Sequence, residues 1–233
     1  MTELLCLKDS YLKECVAKAV EANGKEIVFD RTVFYPVGGG LPCDSGKIEC
    51  GGKNFVVNEV RKKEGKIVHV LSEEGISVGE ECIMKIDWSK RYAVMRMHTA
   101  AHVLGGTMFE HGALITGNQI GAEESRIDFS LEEFDRQKLD GVVAEANEKL
   151  AKNAEVKIYE LPREEAFKIP GIVKLAAVLP PSIPVLRIVE IGDIDIQADG
   201  GVHVKNTREC GAIATTKFEN KGAKNRRIYF KLF

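Results

Sequence analysis

The chain has 233 residues, is 44% hydrophobic and carries a net charge of −2, enough for one large domain or two small ones, each with its own core. No apolar run reaches the length that a bilayer demands, and Met1-Thr2-Glu3-Leu4-Leu5-Cys6 lacks the basic start and long apolar stretch of a signal peptide; the cytoplasm is the expected location. The six cysteines (Cys6, Cys15, Cys43, Cys50, Cys82 and Cys210) form no CxxC pair, so neither a zinc ribbon nor a disulfide framework is expected, and most of them read as small apolar residues in a reducing compartment.

Residues 12–23 read as a small helix or helical turn stopped by Gly24. The rest of residues 1–88 reads as short strands rich in β-branched side chains, at 26–29, 47–49, 54–57, 66–70 and 82–86, with glycines at 51–52, 65, 75 and 79 at the turns. Several short strands in succession predict a small β-barrel. Asp87-Trp88-Ser89-Lys90-Arg91 marks a boundary, with Asp87 or Ser89 as the cap of a helix over about 90–109. A hairpin over 114–121 and 125–130 follows. Ser130-Leu131-Glu132-Glu133 has the pattern of a capping box and predicts a second long helix to about residue 153. A strand at 156–161, a short helix at 164–167, breaks at Ile169-Pro170-Gly171 and Pro180-Pro181, a strand at 185–191, and a hairpin from 213–218 and 227–232 with residues 220–225 as its loop complete the chain. The mixed order after residue 90 predicts an α+β layer, an antiparallel sheet covered on one face by the two long helices. The expected domains are therefore a barrel over 1–88 and an α+β domain over 89–233.

Two features carry chemistry. In Met97-His98-Thr99-Ala100-Ala101-His102 the i, i+4 spacing puts both imidazoles on one helical face. Asp199-Gly200-Gly201-Val202-His203 then supplies a carboxylate and a third imidazole around two glycines that permit a tight turn. Together they could close around one divalent ion, zinc first. Equally, His98 and His102 could pack in a core and His203 lie in a strand. No Glu follows His98, so this is not the HExxH of metalloproteases. Charge is uneven as well: from His203 to the end stand eight Lys or Arg against two acids, a local charge of +6. Such a tail suits phosphates or is simply a solvated strand surface.

These residues resemble a known family. Met97–His102 with Gly200-Gly201-Val202-His203-Val204 is similar to the editing domain shared by alanyl- and threonyl-tRNA synthetases. Asp30-Arg31-Thr32-Val33-Phe34-Tyr35-Pro36-Val37-Gly38-Gly39-Gly40-Leu41-Pro42 looks like the glycine-rich segment of its freestanding relatives, the AlaX proteins. Pro170-Gly171-Ile172-Val173-Lys174-Leu175 and Val204-Lys205-Asn206-Thr207-Arg208-Glu209 are similar too, and the resemblance, to the medium-length type, covers nearly the whole chain. It implies hydrolysis of the aminoacyl ester of mischarged tRNA(Ala), removing serine and often glycine. One zinc would be held by His98, His102, Asp199 and His203, either polarising or deprotonating a water or holding the aminoacyl end while a free water attacks. It also implies a substrate pocket of Thr32 (a sensor of the serine hydroxyl), Gly38, Gly39, Gly40, Leu41 and Val202. The basic tail, through Lys205, Arg208, Lys224, Arg226 and Arg227, would meet the tRNA. The general base is not identified; Glu209 and Asp128 are candidates.

Three positions depart from the family pattern. Asp199 stands where the family loop Cys-Gly-Gly-Thr-His has cysteine, Val202 where it has threonine, and Leu41 where the glycine-rich segment ends in glutamine. A carboxylate still binds zinc but is a harder ligand than a thiolate. The departures keep two other readings open: a tRNA-binding paralogue with weakened or lost deacylase activity, and a metal-dependent hydrolase of another aminoacyl ester.

Overall fold

A computed structural model describes residues 2–131, 135–174, 183–222 and 224–233. The chain divides into two compact units, Met1–Val94 and Met95–Phe233.

In the first unit β1 (Glu3–Leu4) and α1 (Leu5–Lys8) precede β2 (Glu14–Asn23), β3 (Glu26–Phe29), β4 (Arg31–Thr32), β5 (Gly46–Cys50), β6 (Lys53–Lys63), β7 (Lys66–Leu71) and β8 (Glu81–Ile86). Six of these strands close into an antiparallel barrel in the order β2-β3-β7-β6-β5-β8. Inward side chains such as Ile27, Phe29, Ile48, Phe55, Val60, Leu71 and Met84 fill it, as the interior of a small closed sheet requires.

The helix expected over 12–23 is instead the strand β2. Its alanines, lysine and glutamates favour a helix locally, but Ala17 and Ala19 alternate inward while Lys18 and Val20 face out, and β2 is held on both edges by β3 and β8. Tertiary pairing overrides weak local propensity here. Cys50 and Cys82, expected as separate thiols, lie opposite one another on β5 and β8 and form a disulfide with 4.5 Å between their Cα atoms. Their 32-residue separation in the chain conceals a cross-strand pairing that only the barrel register creates.

α2 (Trp88–Glu110) opens with Asp87 Oδ1 accepting from the Lys90 amide. It is buried at every residue from Met97 to Met108. After β9 (Ile115–Gln119) and β10 (Ser125–Ser130) comes α3 (Arg136–Ala151), whose N-cap is Asp135, accepting from the amides of Gln137 and Lys138. The expected capping box is therefore not the start of this helix, and Glu132 and Glu133 lie outside the described residues, as does the break at Pro180-Pro181. β11 (Val156–Pro162), α4 (Arg163–Ala166), β12 (Val185–Ile191), β13 (Asp195–Ala198), a 3-10 turn at Thr207–Cys210, β14 (Ile213–Asn220) and β15 (Asn225–Leu232) complete the α+β fold. Its strands form two antiparallel sheets, ordered β14-β15-β10-β9 and β11-β12-β13, where one was expected. Among the described residues no helix is long and apolar enough to cross a membrane.

Candidate metal centre

α2 presents His98 and His102 one turn apart, and the segment after β13 brings Asp199 and His203 to them. The three imidazole rings stand 4.2 to 4.8 Å apart by centroid. One ligating atom from each of His98, His102, Asp199 and His203 lies within 4.8 Å of the others, and all three histidines are buried.

Each imidazole uses Nδ1 elsewhere. His98 Nδ1 donates to the Val202 carbonyl at 3.2 Å, His102 Nδ1 donates to Asp195 Oδ2 at 2.9 Å, and His203 Nδ1 lies 3.0 Å from Thr99 Oγ1. That fixes the ring orientations and turns every Nε2 toward Asp199, at 3.6, 3.8 and 3.1 Å for His98, His102 and His203. Outer partners of this kind set the orientation and basicity of histidine ligands. Asp199 is itself held, its Oδ2 accepting from the Gly201 amide at 2.6 Å and its carbonyl from Arg187 Nη1 at 3.0 Å. Gly201 has no alternative: a Cβ there would stand 2.4 Å from His98 Cε1.

Burial and the facing charges set the protonation of this cluster. Burial lowers the pKa of His98 to about 4 and depresses that of His203 well below the ordinary value. Burial opposes charge on His102 too, but the hydrogen bonds to Asp195 and Asp199 outweigh it and raise its pKa to about 9. Burial likewise works against ionisation of both carboxylates, yet the neighbouring imidazoles hold Asp199 well below the usual range, and His102 with Lys174 lowers Asp195. Three ring nitrogens and a carboxylate oxygen, neutral or anionic when deprotonated and converging from fixed directions, are a donor set that fits a divalent ion of borderline hardness.

The remaining candidates fall elsewhere. Thr32, Gly38, Gly39, Gly40 and Leu41 belong to the first unit. Thr32 is fully buried in the barrel, its hydroxyl donating to His69 Nε2 at 2.8 Å and accepting from the Phe34 amide. His69 is kept neutral by that burial, its pKa lowered to about 4. Gly38 and Leu41 pair across the turn Gly39-Gly40, whose φ angles of +62° and +85° only glycine adopts easily; residues 38–40 are exposed while the Leu41 side chain is buried. Val202 is buried beside the cluster.

In the tail, Lys205, Arg208 and Lys224 are exposed. Arg226 instead is buried, tying the β14–β15 turn through Asn220 Oδ1 and the Gly222 carbonyl. Arg227 donates to both oxygens of Asp128 at 2.6 and 2.7 Å. The same ion pair engages both oxygens of Asp128, one of the two candidate bases. Glu209 is likewise taken up, capping the 3-10 turn by accepting from the amides of Lys205 and Asn206.

Residues 186–229 match the family described as the threonyl and alanyl tRNA synthetase second additional domain, and residues 4–90 match class II (A) tRNA synthetases. Across 99% of this chain and 98% of the relative, the sequence is 49% identical to the alanyl-tRNA editing protein AlaX-M of Saccharolobus solfataricus. The chain belongs to the AlaX family. A second AlaX-M, from Methanosarcina barkeri, is 44% identical over 100% of this chain and 99% of its own length. The AlaX-L of Pyrococcus horikoshii is 34% identical over 99% of this chain and 58% of its own. Within this AlaX chain, sequence reading missed Asp195, Thr99, Lys174 and Arg187, which touch the four cluster residues or their supports; a buried lysine and aspartate 21 residues apart give no periodic signal.

Proposed function

We propose that the chain is an aminoacyl-tRNA deacylase that acts in trans on mischarged tRNA(Ala), cleaving the ester between serine, or glycine, and the terminal ribose, with one zinc ion held by His98, His102, His203 and Asp199. The observation that carries this reading is the convergence of three Nε2 atoms on the Asp199 carboxylate in a chain whose full-length relatives are named alanyl-tRNA editing proteins. Zinc bound there supplies positive charge for an ester carbonyl or a water. The chain's own residues do the rest. The Val202 carbonyl, Asp195 and Thr99 fix three imidazoles, so that the centre pays no reorganisation cost during the reaction. The Gly201 amide and Arg187 hold Asp199 in place.

Of the proposed substrate residues in the first unit, Gly38–Gly40 are exposed and their backbone suits close approach by a ligand. A serine-sensing role for Thr32 requires its hydroxyl to give up His69. Contact with tRNA phosphates rests on Lys205, Arg208 and Lys224 rather than on Arg226 and Arg227. The setting is the cytoplasm, where charged tRNA is used.

The test is hydrolysis of a panel of charged tRNAs by zinc-loaded protein. Serine and glycine are released from Ser-tRNA(Ala) and Gly-tRNA(Ala) while Ala-tRNA(Ala) is spared, and His203→Ala loses the activity by at least about 100-fold, the upper end of what losing only a ligand's outer partner costs. Intact Ser-tRNA(Ala) and Gly-tRNA(Ala) after incubation would refute the reading.

A further inference from the structure

We propose that Asp195, charge-balanced by Lys174, is the positioning residue that sets the ion affinity of the centre through His102. The inference rests on the reading of the four-residue cluster as a metal site and assigns two residues outside it. The three imidazoles have unequal Nδ1 partners. His98 Nδ1 meets a carbonyl and His203 Nδ1 a hydroxyl, both neutral, whereas His102 Nδ1 meets a carboxylate. That carboxylate is buried, and a buried anion survives only with compensation. Lys174 Nζ, itself buried, pairs with Oδ1 and also reaches the Ile196 carbonyl at 3.3 Å. Gln197 Nε2 donates to Oδ2 at 2.9 Å, the same oxygen that receives His102. Asp195 is thus pinned from both sides, and His102 can donate in one direction only.

The helix is shaped to admit this arrangement. Gly106 lies four residues after His102, on the same face of α2. A Cβ there would come within 2.9 Å of the Ile194 carbonyl and 3.0 Å of Asp195 Oδ1. Glycine inside a helix is unfavourable, and here it is what lets β13 bring Asp195 against His102. Lys174 is anchored in turn, its carbonyl accepting from the Ile115 amide at 2.9 Å at the start of β9. The ammonium lies 5.4 Å from the Phe109 ring centroid. Two strands and a helix therefore converge on one hydrogen bond to one ligand. An aspartate behind a histidine ligand fixes its tautomer and raises its basicity.

The experiment measures zinc affinity of the full chain by competition with a chromophoric chelator, for the wild type, Asp195→Asn and the double variant Lys174→Met/Asp195→Asn. The double variant removes the whole buried ion pair and so guards against a single variant that fails to fold. Alongside, the Nδ1 proton resonance of His102 is followed in the zinc-loaded proteins. Both variants are expected to bind zinc about 10- to 100-fold more weakly, and the His102 resonance to move upfield. Wild-type affinity in a folded variant, or weakened binding with an unchanged His102 resonance, would overturn the positioning role and leave the metal centre standing. A wild type that takes up no zinc would overturn both.

Discussion

Asp199 determines what kind of ion the cluster suits. With a thiolate at this position the set would be soft; with a carboxylate it is three imidazoles and one oxygen, which zinc tolerates and other divalent ions compete for. Gly201, two residues on, is equally constrained. Gly201→Ala puts a methyl group where His98 already stands, 2.4 Å from Cε1 and 2.7 Å from Nδ1, so His98 must rotate and lose the Val202 carbonyl. Zinc affinity should fall by roughly 10- to 100-fold while far-UV circular dichroism stays unchanged, and chelator competition measures it; Gly200→Ala, with nothing within 4 Å of its Cβ, should bind as the wild type does. At this scale the sequence was informative where chemistry is local: His98 and His102 share a helical face because of their spacing, and Asp199 and His203 flank a glycine pair. It was silent on what Asp195, Thr99 and Lys174 hold, because hydrogen bonds between residues far apart in the chain leave no trace in spacing. Nor does charge alone tell that the guanidiniums of Arg226 and Arg227 meet Asn220 and Asp128.

At the scale of elements, the strands of the barrel follow from β-branched runs and glycine turns, whereas β2 does not, since its alanines and lysine acquire a period of two only once β3 and β8 pair with it. The start of α3 shows the same limit: Ser130, the expected cap, ends β10 opposite Asn225, and the cap is Asp135. The start of α2 carries the heaviest internal commitment of the first unit. Arg91 is fully buried; it pairs with Asp44, and donates to the carbonyls of Ser10 at 2.9 Å and Val33 at 2.8 Å. Asp44 in turn accepts from the Tyr35 amide at 2.6 Å, so this one guanidinium ties down both ends of the segment that carries the Gly39-Gly40 turn. Arg91→Met leaves a buried carboxylate unpaired and should destabilise the chain by about 3–5 kcal/mol, read as a lower urea midpoint. A loss below about 1 kcal/mol, the scale of an exposed pair, would show that the network is not structural.

At the scale of the molecule, the net charge of −2 hides a basic tail, but the structure subtracts from it. With Arg226 and Arg227 engaged internally, Lys205, Arg208 and Lys224 are among the exposed cations of the tail. Three phosphate contacts give a dependence of log K on log salt with a slope of about −2 to −3. Replacing all three by alanine should flatten that slope in filter-binding titrations with tRNA(Ala), and an unchanged slope would place the tRNA on another surface. The fold class and the barrel were legible because period-two strands and one long helix are strong local patterns. The second sheet strand β13 and the Cys50–Cys82 disulfide were not, each being fixed by neighbours far along the chain.

The most direct measurement is elemental analysis of full-length protein purified without chelator. The account predicts one zinc per chain, lost in His98→Ala and His203→Ala. Protein free of any divalent metal, and still free after incubation with zinc, would contradict it.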